Sequence, residues 1–299
     1  MSRILTCLSR SMPVTILGFA LAIGLTLGWR TAAAEEFKVV YAQQDSGADR
    51  IDYGVEILKL ALGKSGATFT LTPSTEVAVT QARAVELVKE GKVANITWAG
   101  TGPDLEHSLL PVRVPIDRGI LGWRLLIINP SRQAEFDKIQ DLAGLRKLTA
   151  GQGDGWTDVQ ILQANGITVK TERFDRLFEM LGNKEFDFFP LGANEIFPIT
   201  NQYKSILVNI GVEKNLCLVY PFAMFFFVTP SEPKLAAAIE RGLKKAMADG
   251  SFDEVSRTHP WLREAFQKAD LPHRRIIYID NPLLTPETRN LPKDMFYHP

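Results

Sequence analysis

Apolar positions between residues 37 and 100 alternate between the spacing of strands and the spacing of helices. The predicted elements are, in order, a strand over 37–41, a helix over 51–62, a strand over 68–72, a helix over 80–90 and a strand over 93–98. Glycines stand at the ends of both helices, at 63, 66 and 91. The alternation favours a mainly parallel α/β sheet with helices on both faces.

The same pattern begins again after a long apolar segment over 119–129. Its predicted elements are a strand over 147–150, a helix over 157–165, a strand over 167–170, a helix over 174–181 and a strand over 186–191. The end of each series has the same form, a helix, a glycine, a strand and a second glycine, with Gly91 and Gly100 in one and Gly182 and Gly192 in the other. This weak internal repeat indicates two lobes of like construction.

A second long apolar run, over 216–229, lies after the second series and ends at Pro230. Two such runs suggest strands at which the chain crosses between the lobes. We therefore predict a discontinuous first lobe over 35–124 and 226–299 and a second lobe over 125–225. A pair of consecutive domains is the alternative.

The N-terminus has the pattern of a secretory signal peptide. Arg3 and Arg10 precede an apolar run over 14–29 that ends in three alanines, so residues 1–34 are expected to be cleaved before Glu35 and the mature protein to be periplasmic. Retention of the run as a membrane anchor is the alternative.

Charge and composition exclude several classes of protein. The 299 residues are 45% hydrophobic, which is globular composition, and loss of the signal would leave 31 basic against 34 acidic residues. Nucleic acid is therefore not an expected partner. Cys217 has no internal partner once Cys7 is removed, and we read it as a buried apolar residue. The four histidines lack metal-ligand spacing, so we expect no metal and no cofactor.

The stretch from Gly151 to Asp158, Gly-Gln-Gly-Asp-Gly-Trp-Thr-Asp, falls between a predicted strand and a predicted helix. Such a turn presents free backbone N–H groups and the positive end of a helix dipole, which attract anions and polar ligands. The spacing fails the dinucleotide fingerprint, since Trp156 or Asp158 stands where the third glycine belongs. An ordinary connection with Thr157 or Asp158 as the helix cap remains an alternative.

Aromatic and polar residues collect at the predicted strand ends, where a ligand cleft of an α/β protein lies. We predict a binding site with no catalytic residue and no metal, formed by Trp98, Thr101, Arg118, Arg124, Asp154, Trp156, Thr157, Asn194 and Glu195. Core packing and interlobe ion pairs are the alternative roles of the tryptophans and arginines.

Several segments resemble the family 3 periplasmic solute-binding proteins, the amino-acid-binding type that serves ABC transporters. The similar segments are the helix–Gly91–Lys92–strand unit, residues 139–145 before the Gly151 stretch, the 174–192 unit, the 225–229 strand followed by Pro233-Lys234-Leu235, and the run Met247 to Asp253. The resemblance implies a two-lobed clamshell of type II that closes on a small polar solute and works with a membrane permease or sensor. We expect a monomer.

Two departures from the family pattern affect the expected ligand. The Thr-x-x-Arg motif, whose arginine grips the ligand carboxylate, reads Thr101-Gly102-Pro103-Asp104 here, and Ala94 replaces a usual aspartate. The sequence predicts a non-enzymatic solute-binding protein for a small polar or anionic, amino-acid-like ligand. The alternatives are a periplasmic enzyme similar to cyclohexadienyl dehydratases, with Glu195 or Asp154 as acid or base, and a ligand-free module that docks to a membrane sensor.

Overall fold

The computed structural model describes residues 35–44, 48–78, 80–202 and 209–298, so the predicted signal peptide over 1–34 lies outside the described residues. The strands are β1 Glu36–Gln44, β2 Thr68–Ala78, β3 Ile96–Gly100, β4 Leu110–Val112, β5 Trp123–Ile128, β6 Thr149–Gly153, β7 Thr168–Glu172, β8 Phe188–Gly192, β9 Gly211–Val212, β10 Leu216–Val219, β11 Met224–Val228 and β12 Arg275–Tyr278. The helices are α1 Ala48–Ser65, α2 Gln81–Glu90, α3 Pro103–Ser108, α4 Gln133–Phe136, α5 Leu142–Leu145, α6 Thr157–Ala164, α7 Phe174–Gly182, α8 Ile196–Gln202, α9 Pro233–Ala248, α10 Ser251–Thr258, α11 Pro260–Lys268 and α12 Pro286–Arg289.

The first sheet has five strands in the order β2-β1-β3-β11-β4. Strand β1 pairs in parallel with β2 and β3, whereas β11 runs antiparallel to β3 and β4. All five residues of β11 are buried, since this strand lies inside the sheet and carries three consecutive phenylalanines, Phe225 to Phe227. The first apolar series therefore forms one sheet, which the later strand β11 completes.

The second sheet has the order β12-β10-β5-β8-β6-β7, and β9 pairs with β5. Strands β6, β7 and β8 run parallel, and β5 runs antiparallel to β8 and β10. The predicted fold class, a two-lobed α/β protein with helices on both faces of each sheet, is confirmed. Both sheets are mixed, because the strands next to each crossover run against their neighbours.

Neither long apolar run forms a single continuous strand. The first run enters β5 only after a short 3₁₀ turn over Ile120–Gly122, and the second divides into β10 in the second sheet and β11 in the first, joined by residues 220–223. The predicted lobe boundaries stay a prediction. We propose, from the pairing of β12 with β10, that the chain returns to the second lobe near residue 275.

Helix α2 shows how local sequence sets the ends of an element. Thr80 accepts a hydrogen bond from the backbone N–H of Arg83, and Gly91 takes a left-handed conformation with φ of 65°. A side-chain oxygen at the start and a glycine at the end satisfy the backbone groups that a helix leaves free. The predicted helix over 80–90 is confirmed.

Helices α1 and α9 pack in the first lobe through a glycine. A Cβ on Gly242 of α9 would lie 1.7 Å from the carbonyl oxygen of Ala61 in α1, so only a residue without a side chain permits this approach. The nearest atoms belong to backbone, which cannot rotate away. The distance between the two helices is therefore set by this one residue.

We expect Gly242→Ala to lower the free energy of unfolding by about 1–3 kcal/mol, because the added methyl group forces the two helices apart. Urea unfolding measures the change. Gly63→Ala in α1 is the matched control, since nothing lies within 4 Å of its Cβ position. That control is expected to stabilise the helix by about 0.5–1 kcal/mol. An unchanged Gly242→Ala variant would contradict the packing described.

Two features, a membrane-spanning helix and a metal-binding group, are absent from the described residues. Within them, no helix is both long enough and apolar enough to cross a membrane. The same part of the chain contains no group of three or more His, Cys, Asp or Glu side chains arranged to hold a metal ion.

Candidate functional site

The first three residues of the Gly151 stretch, residues 151–153, belong to a strand. Strand β6 continues through Gly153, and the turn itself consists of residues 154–156, where Gly155 has φ of 74°. Glycine is needed in the strand because a Cβ on Gly151 would lie 2.2 Å from the ring of Phe186. The expectation that all three glycines belong to the turn is wrong, because this aromatic ring packs directly on the strand backbone.

Helix α6 begins immediately after this turn. Trp156 is its N-cap residue and forms no side-chain capping bond, so neither Thr157 nor Asp158 caps the helix. The Trp156 ring stacks on Phe174 with centroids 5.8 Å apart, and both rings contact Phe189. The positive end of α6 is thus held next to an aromatic wall on the second lobe.

Arg124, at the start of β5, is the centre of a buried ionic cluster. Its guanidinium Nη2 lies 2.6 Å from Oδ1 of Asp158, and its Nη1 lies 3.5 Å from Oε2 of Glu195. The Tyr220 hydroxyl donates a hydrogen bond to the same Asp158 oxygen. The rings of Tyr220 and Phe222 lie beside the guanidinium, which is 5.4 Å and 5.3 Å from their centroids.

The protonation states follow from this arrangement. Burial by itself lowers the pKa of Arg124, but Asp158, Tyr220 and Glu195 raise it overall, so the guanidinium stays charged. Burial raises the pKa of Tyr220 well above its ordinary value, and the phenol stays neutral. The cluster therefore contains one cation, two carboxylates and one neutral hydroxyl.

Four buried polar atoms around this cluster have no hydrogen-bond partner among the described residues: Nε of Arg124, Oε1 of Gln152, and both amide atoms of Asn194. Arg124 is paired with Gly192 across β5 and β8, and Gln152 donates from Nε2 to the carbonyl of Pro190 at 3.1 Å. Buried polar atoms in folded proteins nearly always have partners. These atoms therefore make the strand ends of the second sheet the candidate site for a polar molecule.

The first lobe meets the second at two of its glycines. A Cβ on Gly100 would lie 2.6 Å from the ring of Phe222, and a Cβ on Gly102 would lie 3.4 Å from Oγ1 of Thr157. The end of β3 therefore lies against the crossover residue Phe222 and the start of α6. The two faces of the predicted cleft are in contact in this structure.

Thr101 faces a polar group of its own lobe. Its hydroxyl donates to Glu106 of α3, whose carboxylate also accepts hydrogen bonds from Arg113. Thr285 and Thr288, which lie in the C-terminal segment (residues 279–298), donate to the two Glu106 oxygens, each at 2.8 Å. Burial raises the pKa of Glu106, but these donors lower it overall. The carboxylate therefore ties the C-terminal segment to the first lobe.

We expect Thr288→Val to lower the free energy of unfolding by about 1–2 kcal/mol, because the buried carboxylate loses a donor while the side-chain shape is kept. Urea unfolding and proteolysis of residues 279–298 measure the effect. Thr168→Val, at an exposed position of β7, is the control and is expected to change little. Equal stabilities for the two variants would show that the Glu106 contact contributes nothing.

The predicted site residues fall into two sets. Arg124, Trp156, Thr157, Asn194 and Glu195 lie at the edge of the second lobe described above, and Thr101 lies opposite them. Trp98 is 2% exposed and packs between Tyr41 and Phe226 in the first lobe. Asp154 is exposed, and Nη1 of Arg118 lies 3.3 Å from Oδ1 of Asp253. The structure thus separates Trp98, Asp154 and Arg118 from the ionic cluster, and their role in binding stays a prediction.

Three residues of the candidate site were not among the predicted ligand-binding residues. Gln152 stands between two glycines, Asp158 was considered as a helix cap, and Tyr220 lies in an apolar run. The break of that run at the polar ring of Tyr220, just before Pro221, is the signal that could have placed it.

Comparison with known proteins shows the fold. No family model matches the chain, and no curated protein matches its sequence. An ancestral arginine-binding protein bound to arginine superposes with a TM-score of 0.52 at 13% identity, over 75% of this chain and 98% of that one. The chain has the periplasmic-binding-protein fold.

Two further structures share this fold. An amino acid ABC transporter substrate-binding protein from Streptococcus pneumoniae, bound to L-arginine, has a TM-score of 0.51 at 11% identity, over 77% of this chain and 94% of that one. The GluR0 ligand-binding core from Nostoc punctiforme, in complex with (L)-glutamate, has a TM-score of 0.51 at 12% identity, over 74% and 99%. At these identities the likeness establishes the periplasmic-binding-protein fold and leaves the ligand of this chain open.

Proposed function

We propose that this chain is a non-enzymatic, exported solute-binding protein that closes its two lobes over a small polar, amino-acid-like solute in the periplasm. It would deliver the solute to a membrane permease for ABC-type uptake, or report it to a membrane sensor. The structures that share its fold contain bound arginine in two cases and (L)-glutamate in a third, which supports a small polar ligand.

One observation carries the proposal. Arg124, Gln152 and Asn194 present four polar atoms that have no partner among the described residues, and Arg124 also lies beside Phe222, which contacts Gly100 of the first lobe. Donors and acceptors both occur among them, since Arg124 Nε and Asn194 Nδ2 donate while Gln152 Oε1 and Asn194 Oδ1 accept. A small solute with both kinds of group would satisfy them, and the desolvated site would orient it.

Closure of the two lobes would link ligand binding to the stability of the protein. A ligand that contacts both lobes stabilises the closed arrangement only to the extent that it binds that arrangement better than an open one. The contacts of Phe222 with Gly100 and of Thr157 with Gly102 lie where such closure would bring the lobes together. We therefore expect binding to raise stability and to change the surroundings of Trp156.

Thermal unfolding and tryptophan fluorescence with a panel of amino acids and related metabolites test the function. A true ligand at one hundred times its dissociation constant should stabilise the protein by about 2.7 kcal/mol. Asn194→Ala should weaken this response, and Asn183→Ala, at an exposed position, should retain it. A protein that responds to no member of the panel would refute the proposal. Turnover of a bound compound would instead favour an enzyme.

A further inference from the structure

The formal charges in the cluster are unequal. Arg124 supplies one positive charge, while Asp158 and Glu195 supply two negative charges, so the group has one net negative charge. Tyr220 leaves this net charge unchanged, because its phenol stays neutral. The side chains of Arg124 and Asp158 are only 2% and 6% exposed, and water screens such charges weakly.

The charge of Arg124 is already offset by two carboxylates. Its Nη2 lies 2.6 Å from Asp158, its Nη1 lies 3.5 Å from Glu195, and its Nε has no partner among the described residues. A ligand of net negative charge would enter beside these two protein carboxylates. Burying such a charge without a counterion is strongly unfavourable. The arrangement therefore disfavours a ligand of net negative charge.

Glu195 is the carboxylate with spare capacity. Its side chain is 18% exposed, its Oε2 accepts from the Gly192 N–H at 3.3 Å, and the described residues give its Oε1 no partner. Oδ1 of Asn194 and Oε2 of Glu195 lie 2.6 Å and 3.1 Å from the point that a Cβ on Gly192 would occupy, and Cδ1 of Leu121 lies 3.0 Å from the same point. The side chains of Asn194 and Glu195 thus lie on the same side of Gly192, and Oε1 of Glu195 is the oxygen left for a group that carries several N–H donors.

We propose that the solute is a small cation whose ammonium or guanidinium group binds Glu195 and the Asn194 oxygen. The proposal rests on the function proposed above and names the ligand class of the same site. The cationic group neutralises the excess negative charge of the cluster. A carbonyl, carboxylate or hydroxyl elsewhere in the solute accepts from Arg124 Nε, so a zwitterion that also has a positive side chain fits, whereas a simple anion does not.

Isothermal titration with two nearly isosteric pairs tests the ligand charge. L-Arginine is compared with L-citrulline, and L-ornithine with L-glutamine, because each pair replaces a cation with a neutral amide or urea of similar shape. We expect the cationic member of at least one pair to bind about tenfold or more tightly than its neutral partner. L-Glutamate is expected to bind more weakly than both members of that pair.

Variants assign that preference to Glu195. Glu195→Gln keeps the shape and should reduce the cation-to-neutral ratio about tenfold, whereas Glu179→Gln, on the exposed face of α7, should leave the ratio unchanged. Glu195→Asp, which keeps the charge, should retain a preference for the cation. These ratios compare ligands on one folded protein, so a general loss of stability does not imitate the result.

The outcomes separate the two proposals. A neutral or anionic solute from the wider panel that binds more tightly than every cation would overturn the charge inference and leave the solute-binding function intact. Cation selectivity that survives Glu195→Gln would overturn the role of Glu195. If no compound in the panel binds at all, the solute-binding function itself fails.

Discussion

Arg124→Met is expected to lower the free energy of unfolding by about 3–5 kcal/mol, the range for removing one partner of a buried ion pair. Methionine fills most of the space between Tyr220 and Phe222 but leaves Asp158 and Glu195 without their counterion. The cost comes mainly from the carboxylate of Asp158, which is 5% exposed. Urea unfolding at neutral pH measures it.

A double variant distinguishes charge from packing in this result. Arg124→Met with Asp158→Asn removes both the cation and the more deeply buried carboxylate, and Tyr220 can still bond to the amide oxygen. We expect this variant to recover a substantial part of the lost stability, because no uncompensated charge then remains on Asp158. A double variant as unstable as Arg124→Met would show that the guanidinium acts through its packing alone.

The alternation of strands and helices carried enough information to predict the fold. Strands β1, β3 and β8 and helices α2 and α7 follow from apolar spacing and from glycines such as Gly91, because these signals are local. The two long apolar runs also indicated where the chain crosses between sheets. Their internal breaks were not predicted, although Tyr220 and Pro221 interrupt the otherwise apolar second run.

The site was only partly predictable because its pairings are distant in sequence. Arg124 was selected because it flanks the predicted crossover and Glu195 because it follows a predicted strand, and the antiparallel pairing of β5 with β8 brings them together. The contact of Arg124 with Asp158 depends on how α6 is placed over the sheet, which no local pattern specifies. Charge alone makes a solvated position the default for an aspartate such as Asp158.

The C-terminal segment illustrates the same limit. Its threonines at 285 and 288 carry ordinary helix-start signals, and one of them does cap α12. Their bonds to Glu106 span about 180 residues of sequence and therefore arise only in the folded chain. The stretch from Thr101 to Asp104 has no arginine where the family pattern Thr-x-x-Arg places one. Helix α3, which includes Asp104, instead holds the chain's own C-terminal segment through Glu106.

Asp117 connects the two crossover segments through its carboxylate. Its Oδ1 accepts from the N–H groups of Gly119 and Met224 at 3.0 Å and 3.2 Å, and its Oδ2 accepts from Leu121 at 3.0 Å. Gly119 and Leu121 precede β5 of the second sheet, and Met224 begins β11 of the first sheet. Asp117 therefore ties together the two segments at which the chain passes between the sheets.

We expect the ionisation of Asp117 to make stability fall between about pH 4 and pH 6. Burial raises its pKa from 3.8 to about 6, although the backbone N–H bonds offset part of this effect. Below both values the carboxyl is protonated in the folded and unfolded states and has no effect. As pH rises, the unfolded chain loses the proton first, so the folded state is disfavoured by about 3 kcal/mol once pH exceeds the folded pKa.

Comparison with Asp117→Asn isolates this effect, since the other titrating groups are common to both proteins. Their difference in unfolding free energy, wild type minus variant, should fall by about 3 kcal/mol between pH 3 and pH 7. Asp175→Asn, at an exposed position of α7, is the control and should give no comparable slope. A flat difference for Asp117→Asn would show that this carboxylate titrates alike in both states. If the slope is found, the connection between the two sheets costs the folded protein most at neutral pH, where the buried Asp117 carries its charge.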